Sequence, residues 1–160
     1  MMIRPAMAGD EDRIWAIIEP VLRAGETYAL PHDWSRDEAL AFWLGAPHSA
    51  YIAGDGGRMV GTYYLQPNQR GGGDHVANCG YIVAGDAIGR GVARAMCLHS
   101  LDEARAKGFR AMQFNSVVAS NSRAVALWQA LGFATVGTVP GAFRHPALGD
   151  VDALVMHRTL

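Results

Sequence analysis

A glycine-rich turn between an apolar strand and an amphipathic helix is the feature that most constrains this chain. The strand reads Tyr81-Ile82-Val83, the helical pattern runs from Val92 to Ala104, and glycines stand between them at positions 85, 89 and 91. A helix start carries unpaired amides and a partial positive charge, which together suit a phosphate, and glycine lets the phosphate reach the backbone. The turn therefore predicts a pyrophosphate site, although α/β proteins also use such turns as plain connections.

The apolar periodicity of the chain predicts the element order β-α-α-β-β-β-α-β-α-β-β within a single domain, residues 1–160. Strand-helix-strand units in the second half require some parallel pairing. The predicted fold class is therefore α/β (α+β), with a mixed central sheet of about seven strands and about four helices. Ligands of such sheets favour the carboxyl ends of strands, where neighbouring strands part. The turn after Val83 lies at such a place.

The helix ends carry recognisable residues. Pro20 is expected to end or bend the first helix. Ser35 and Glu38 have the spacing of a capping box for the second helix. Ser120 is expected to cap the last helix, because serine accepts a hydrogen bond from a first-turn amide.

Turn residues also divide the strands. A hairpin is predicted on either side of Gly54–Gly57, and residues 66–74 are expected to form a flexible loop. The last two strands are expected at 133–139 and 151–156, separated by a loop that contains proline and glycine.

The composition is that of an ordinary globular protein, with 50% hydrophobic and 18% charged residues. A net charge of -1 gives no reason to expect a nucleic acid or a membrane as partner. No apolar run has the length of a transmembrane helix, and the first residues lack the apolar core of a signal peptide. Cys79 and Cys97 lie in apolar patterns, so we expect buried thiols in a reducing cytoplasm and no metal, with a disulfide or a metal site as minor alternatives.

Two motifs resemble those of the GCN5-related N-acetyltransferases, the GNAT family. The family signature Gln/Arg-x-x-Gly-x-Gly/Ala appears as Ile88-Gly89-Arg90-Gly91-Val92-Ala93, where Ile88 replaces the usual polar residue. A second signature, Asn-x-x-Ala-x-x-Leu-Tyr-x-x-x-Gly-Phe, appears at residues 121–133 with Trp128 in place of the tyrosine. The resemblance extends over essentially the whole chain and implies the GNAT fold.

By this resemblance the co-substrate is acetyl-coenzyme A. Its pyrophosphate is expected on the amides at the start of the third helix. Its pantetheine arm is expected along the strand edge at Ile82 and Val83, whose backbone is also the expected catalytic element that stabilises the oxyanion. Asn121 is expected to bind the pantetheine region, although a polar residue at a helix start is common without any ligand. The full expected cofactor-binding set is Ile82, Val83, Ile88, Gly89, Arg90, Gly91, Val92, Ala93, Arg94 and Asn121.

Trp128 distinguishes this chain from many relatives, in which a tyrosine at this position is proposed to protonate the departing thiolate. An indole N–H has no accessible pKa near neutrality, so it cannot act as that acid. Another group or water can supply the proton, or the thiolate leaves without one. On an apolar helix stripe, core packing is the favoured interpretation of Trp128.

Asparagines provide the main indication of an acceptor site. Asn78 on the fourth strand and Asn115 on the fifth resemble, with Asn121, a set found in fungal acetyltransferases that act on azetidine-2-carboxylate and related proline analogues. The segment 141–156 is similar as well. In that resemblance the two strand asparagines bind the substrate, since a side-chain amide both donates and accepts hydrogen bonds. Buried asparagines satisfied by backbone groups are the alternative.

The loop between the first two helices contains Thr27 and Tyr28, which are expected to line the acceptor pocket unless this loop is only a surface connection. No Asp or Glu lies on the exposed face of the fourth strand, so a water held by Asn78 or by backbone carbonyls is the expected proton acceptor. Weaker candidates for an acceptor-side or proton-transfer role are His75, Glu26, His145 and Asp152.

The resemblance predicts an acetyl-coenzyme A-dependent N-acetyltransferase. The expected reaction is direct transfer of acetyl from the thioester to a primary or secondary amine of a small molecule, such as an amino acid or a proline analogue. A non-catalytic acyl-coenzyme A sensor and an acetyltransferase for protein N-termini or lysines are the alternatives. The expected partner is the small-molecule amine, and a homodimer is left open.

Overall fold

The computed structural model describes residues 1–160, and its helices and strands follow the predicted order. Two single-turn 3-10 helices, Gly71–Gly73 and Gly85–Ala87, lie in connections. The main elements are β1 (Met2–Pro5), α1 (Glu11–Ala24), α2 (Arg36–Leu44), β2 (Ser49–Asp55), β3 (Arg58–Pro67), β4 (Val76–Val83), α3 (Val92–Ala106), β5 (Ala111–Val118), α4 (Ser122–Ala130), β6 (Ala134–His145) and β7 (Gly149–Thr159).

The seven strands form one sheet in the order β1-β2-β3-β4-β5-β7-β6. Neighbouring strands are antiparallel except β4 and β5, which are parallel. The parallel ladder contains only the pairs Val76 with Ala111 and Ala77 with Met112. Beyond these pairs the two strands separate, and a gap opens in the middle of the sheet toward their carboxyl ends. The mixed sheet and the number of helices confirm the predicted fold class.

Each face of the sheet buries an apolar core. On one face α1 and α2 pack on the sheet, with Ile14 and Trp43 almost completely buried. On the other face α3 and α4 cover a larger core that includes Met96. Side chains alternate along a strand, so β4 contributes Ile82 to the first core and Cys79 to the second, as its sequence pattern predicts. The gap between β4 and β5 therefore lies between two firmly packed layers.

Pro20 does not end α1, although that was one of the two outcomes expected of it. The helix continues to Ala24 and ends at Gly25, whose φ of 64° is the left-handed conformation common after a helix. Proline removes the N–H that would bond the carbonyl of Ala16, but both residues are exposed and water can reach that carbonyl. A proline on the solvent side of a helix is thus tolerated.

Asn121, rather than Ser120, caps α4. Its Oδ1 accepts a hydrogen bond of 3.3 Å from the N–H of Ala124, and the helix begins one residue later than expected. Serine and asparagine are similarly good caps, so the sequence could not decide between these neighbours. The capping box predicted for α2 is present, with Ser35 and Glu38 bonding each other's N–H groups.

Both hairpins differ from the predicted lengths. The turn between β2 and β3 contains only Gly56 and Gly57, both with positive φ, and the flanking residues join the strands. β6 and β7 extend to His145 and from Gly149, so most of the predicted loop between them is strand. Its proline and glycines are accommodated because β6 is an edge strand and its register shifts between Val139 and Phe143.

Candidate active site

The gap between β4 and β5 opens into a cleft of about 750 Å³. The cleft reaches from the start of α3 at one end to the loop between α1 and α2 at the other, and β4 forms one long wall. An inner strand normally bonds a neighbour on each side. Beyond Ala77 the edge of β4 toward β5 is unpaired, so its main-chain groups are free for a ligand except the Tyr81 carbonyl, which accepts from the Tyr28 hydroxyl.

The register between β3 and β4 decides which backbone groups face the cleft. The N–H of Ala84 donates to the carbonyl of Val60 at 2.9 Å, and bonding direction alternates from residue to residue in an antiparallel ladder. Ile82 therefore points its N–H and carbonyl toward β3, whereas Val83 points them into the gap. Tyr81, which was not predicted from the sequence, also presents its backbone to the gap. Which alternate residues of β4 face the gap can be decided only when the pairing with β3 is known.

The turn before α3 leaves a group of amides free. Gly89 and Gly91 have φ of 81° and 80°, left-handed values that residues with a side chain rarely adopt. Gly91 supplies no side-chain cap, and the N–H groups of Val92, Ala93 and Arg94 have no partner within the chain. These amides and the helix dipole favour an anion such as pyrophosphate. The residues present therefore fit the phosphate end of coenzyme A.

Two residues of the first motif take different positions. Ile88 lines the cleft with 54% of its surface exposed. Arg90 does not line it, because its guanidinium pairs with Asp55 at 3.0 Å and its N–H donates to the carbonyl of Ala87. The other predicted cofactor residues line the cleft, although Ile82 turns its N–H and carbonyl toward β3 rather than into the gap.

Arg94 and Arg123 line the same end of the cleft, and neither belongs to an ion pair. The Arg123 guanidinium lies 3.6 Å from the position that a Cβ at Gly89 would occupy, so α4 brings a positive charge to the glycine turn. Arg123 was not predicted. The sequence places Arg123 two residues after Asn121, but its closeness to the glycine turn is evident only when the packing of α4 is known.

Asn121 lines the cleft at the start of α4. Its Oδ1 accepts the capping hydrogen bond from Ala124, and its Nδ2 has no partner within the chain. The two interpretations of Asn121 are therefore compatible. The side-chain oxygen serves the helix, and the nitrogen remains a donor for a ligand.

Trp128 lies between the cleft and the larger core, with 8% of its surface exposed. Its ring centroid is 5.2 Å from that of Tyr81 and 5.1 Å from that of Phe114. These aromatic contacts agree with a packing role. Trp128 also forms part of the cleft wall, so its size affects the shape of the site.

Tyr28 lies at the end of the cleft that is farthest from α3. Its hydroxyl donates a hydrogen bond of 2.8 Å to the carbonyl of Tyr81, and its ring meets Trp43 edge-on at 6.2 Å. Thr27 and Leu30 line the same end. The loop between α1 and α2 is thus attached to β4 rather than only crossing the surface.

Asn78 and Asn115 lie on opposite sides of the gap within a chain of side-chain amides. Asn78 donates through Nδ2 to the carbonyl of Gln113 at 3.0 Å and accepts through Oδ1 from Gln66 at 3.2 Å. Asn115 accepts from the Gln113 side chain at 3.0 Å and donates to Asn68 at 2.7 Å. A side-chain amide has two N–H bonds, so each asparagine keeps one N–H for a ligand.

Tyr64 of β3 is a further cleft residue that was not predicted. It pairs with Gly80 of β4, and a Cβ at Gly80 would lie 2.6 Å from Cε1 of Tyr64. The ring therefore crosses β4 where glycine leaves room for it. A glycine within a strand often marks such a close approach, but the approaching residue depends on the register.

Apart from the arginines, the ionisable side chains of the cleft are phenols and a thiol. Burial raises the pKa of Tyr28 and of Tyr81 well above the usual value. It raises the pKa of Tyr64 and of the Cys79 thiol to about 12. All four stay protonated at neutral pH and cannot take a proton from an ammonium group. The weaker candidates lie outside the cleft lining: His75, Glu26, His145 and Asp152.

Cys79 and Cys97 are free and buried, as predicted. No three side chains of the histidine, cysteine, aspartate or glutamate type gather where they could hold a metal ion. None of the helices has the length and hydrophobicity needed to cross a bilayer.

The model of the acetyltransferase (GNAT) family matches residues 14–133. A solved GCN5-related N-acetyltransferase from Kribbella flavida is 42% identical with a TM-score of 0.95, covering 99% of this chain and 97% of that one. A solved GNAT superfamily phosphinothricin acetyltransferase from Sinorhizobium meliloti, in complex with acetyl-coenzyme A, is 21% identical with a TM-score of 0.87, covering 99% and 88%, which is a likeness of fold.

The N-acetyltransferase aca1 of Schizosaccharomyces pombe is 32% identical over 98 residues. The aligned segment covers 61% of this chain and 47% of that protein, so the match spans about half the length of this curated relative.

Proposed function

The chain belongs to the GNAT family of acetyltransferases, and on this premise we propose that it transfers acetyl from acetyl-coenzyme A to the amine of a small molecule. The family match confirms the resemblance predicted from the two motifs and, with it, an acetyltransferase that uses acetyl-coenzyme A as co-substrate. The small-molecule acceptor is the new element of the proposal. One observation carries it: the unpaired edge of β4 leads from the free amides of α3 to an end of the cleft that Thr27, Tyr28 and Leu30 line without a charged side chain.

The donor lies along β4 in this proposal. Its pyrophosphate accepts from the free amides at the start of α3, and Arg94 and Arg123 neutralise its charge. The pantetheine arm pairs with the N–H and carbonyl of Val83 as an added strand would. Asn121 donates from Nδ2 to the same arm. These contacts fix the direction of the donor, with its thioester toward the acceptor end.

Tyr81 precedes Val83 toward the acceptor end, so its N–H is the group that meets the thioester oxygen. A backbone donor placed there stabilises the oxyanion, a contact typically worth about 3 kcal/mol. The neutral amine attacks the thioester carbon, a C–N bond forms, and the C–S bond then breaks to release coenzyme A as thiolate. Water takes the proton from the amine, and the thiolate gains its proton from water. No side chain of the cleft is needed as a base if the amine arrives neutral.

The acceptor chamber has walls that suit a compact molecule. Tyr28 closes one side, and no charged side chain lies beside it in the lining. The remaining N–H of Asn78 and that of Asn115 are neutral donors on facing strands, and they can donate to the two oxygens of a carboxylate. An amino acid or a proline analogue is therefore the acceptor class that we propose. Such an enzyme would work in the cytoplasm, where Cys79 and Cys97 stay reduced.

Thiol release from acetyl-coenzyme A, measured against amino acids, proline analogues, polyamines and peptides, tests this function. We expect turnover with small amino acids or their cyclic analogues and weaker turnover with peptides. Calorimetric binding of acetyl-coenzyme A without release against any amine would instead indicate a sensor. Preference for peptides would indicate a protein acetyltransferase. Light scattering of the same sample determines whether the protein is a homodimer.

A further inference from the structure

Tyr64 is held firmly between aromatic neighbours. The His48 ring stacks on it at 4.1 Å with an angle of 6° between the planes. Trp43 meets it edge-on at 4.9 Å and Phe42 at 5.8 Å. The whole residue is 8% exposed, so the ring has one allowed position. A clamped ring fixes the location of its hydroxyl.

The hydroxyl of Tyr64 is free within this clamp. It has no hydrogen-bond partner in the chain, although every fully enclosed polar side-chain atom of the protein has one. The hydroxyl must therefore open onto the cleft that Tyr64 lines. The hydroxyls of two nearby tyrosines are used within the chain, since Tyr28 bonds Tyr81 and Tyr63 bonds His99. Tyr64 alone among these three offers its hydroxyl to a ligand.

The hydroxyl also lies beside the reacting centre. A Cβ at Gly80 would be 2.9 Å from the Tyr64 Oη, and the carbonyl carbon of Gly80 is bonded to the nitrogen of Tyr81. That nitrogen carries the N–H assigned to the thioester oxygen. The ring lies on the α1 and α2 face of the sheet, the face that Tyr28 closes. The Tyr64 hydroxyl thus lies on the same face of the sheet as Tyr28, close to the N–H of Tyr81.

We propose that the Tyr64 hydroxyl binds the acceptor nitrogen, accepting a hydrogen bond from its N–H and turning its lone pair toward the thioester carbon. This inference rests on the proposed N-acetyltransferase function. A neutral phenol can accept a hydrogen bond from one N–H of the neutral amine and leave the nitrogen lone pair free to attack. This hydrogen bond strengthens as the nitrogen becomes positive during attack. Its loss should therefore lower the kcat/KM for the acceptor.

Tyr64→Phe removes the hydroxyl and keeps the clamped ring. With the best acceptor of the amine panel, we expect the kcat/KM for the acceptor to fall by about 10- to 100-fold. The KM for acetyl-coenzyme A and the thermal midpoint should stay at the wild-type values. Tyr63→Phe is the matched control, because its hydroxyl bonds His99 on the other face of β3. That variant should keep the acceptor kcat/KM of the wild type.

The kinetics of these variants distinguish the role of Tyr64 from the acetyltransferase function itself. Normal acceptor kinetics in Tyr64→Phe, or equal losses in Tyr63→Phe and Tyr64→Phe, overturn the role of Tyr64 and leave the enzyme function standing. A wild-type protein that binds acetyl-coenzyme A but acetylates no amine overturns both. A selective loss in Tyr64→Phe supports both.

Discussion

The hydroxyl of Tyr28 donates a hydrogen bond of 2.8 Å to the main-chain carbonyl of Tyr81, attaching the loop after α1 to the strand that borders the cleft. The bond occupies one of the few β4 carbonyls that face the gap. It therefore has two effects, since it closes the acceptor chamber and leaves Val83 as the nearest carbonyl for the pantetheine arm.

Tyr28→Phe should release this loop from β4. We expect the acceptor KM to rise about tenfold and the free energy of unfolding to fall by about 1 kcal/mol, because one buried hydrogen bond is lost. Steady-state kinetics and urea unfolding measure the two effects. Tyr51→Phe is the control, since it loses a hydroxyl bond to Glu103 away from the cleft. An equal rise of the acceptor KM in both variants would refute the role of the loop.

Gly91→Trp should block the anion site at the start of α3. Nothing lies within 4 Å of a Cβ at Gly91, so the indole would fill space that we assign to the pyrophosphate. We expect calorimetry to show acetyl-coenzyme A binding weakened by more than about 100-fold. Gly108→Trp is a close control, because Gly108 has a similar φ of 85° and open surroundings at the far end of α3. Binding that survives in Gly91→Trp would exclude the amide site.

Substitutions of Asn121 can separate helix capping from ligand binding. Asn121→Ala should lower the free energy of unfolding by about 1 kcal/mol and raise the KM for acetyl-coenzyme A. Asn121→Ser keeps an N-cap oxygen without the Nδ2 donor, so it should restore stability while the KM stays raised. Chemical denaturation and initial rates measure these quantities. A wild-type cofactor KM in either variant would show that Asn121 is only a cap.

Trp128→Phe tests whether the indole does more than pack. The ring contacts with Tyr81 and Phe114 can be kept in part by phenylalanine, so kcat should fall less than about tenfold while thermal stability drops. Initial rates and thermal melting report the two effects separately. A fall of kcat beyond a hundredfold with normal stability would assign the indole N–H a direct part in thiolate release.

The pH dependence of acceptor turnover should belong to the acceptor. Burial raises the pKa of Tyr64 and Cys79 to about 12, so both remain neutral acids between about pH 6 and 9 and add no inflection. The kcat/KM should increase about tenfold per pH unit up to the pKa of the acceptor ammonium. Two acceptors whose ammonium pKa values differ by about two units should shift the inflection by the same amount. An inflection that stays fixed would reveal an enzyme base.

Local sequence patterns were sufficient to predict features that depend on a single helix or turn. The glycine turn before Val92 and the capping box at Ser35 are local, because hydrogen bonds within a few residues decide them. The two family motifs allowed the fold of the whole chain to be predicted. The sequence could not decide whether Pro20 ends α1, because the effect of a proline depends on which side of the helix faces solvent.

The details of the site depend on contacts across the sheet. The β3 register turns the N–H and carbonyl of Ile82 toward β3 and those of Tyr81 toward the gap, a difference of one residue that no local pattern contains. Tyr64 reaches the site only because Gly80 stands opposite, and Arg123 only because α4 packs beside the turn. These relationships join residues far apart in the chain, so the sequence could supply the residues but not their partners.

Because β4 and β5 part after two residue pairs, a donor bound along β4 would add main-chain hydrogen bonds that the sheet does not make there. A ligand that binds only the folded chain raises its stability by about 2.7 kcal/mol at a hundredfold excess over its Kd. Fewer molecules then open and meet a protease, so the survival of the protein should follow the supply of its acyl donor.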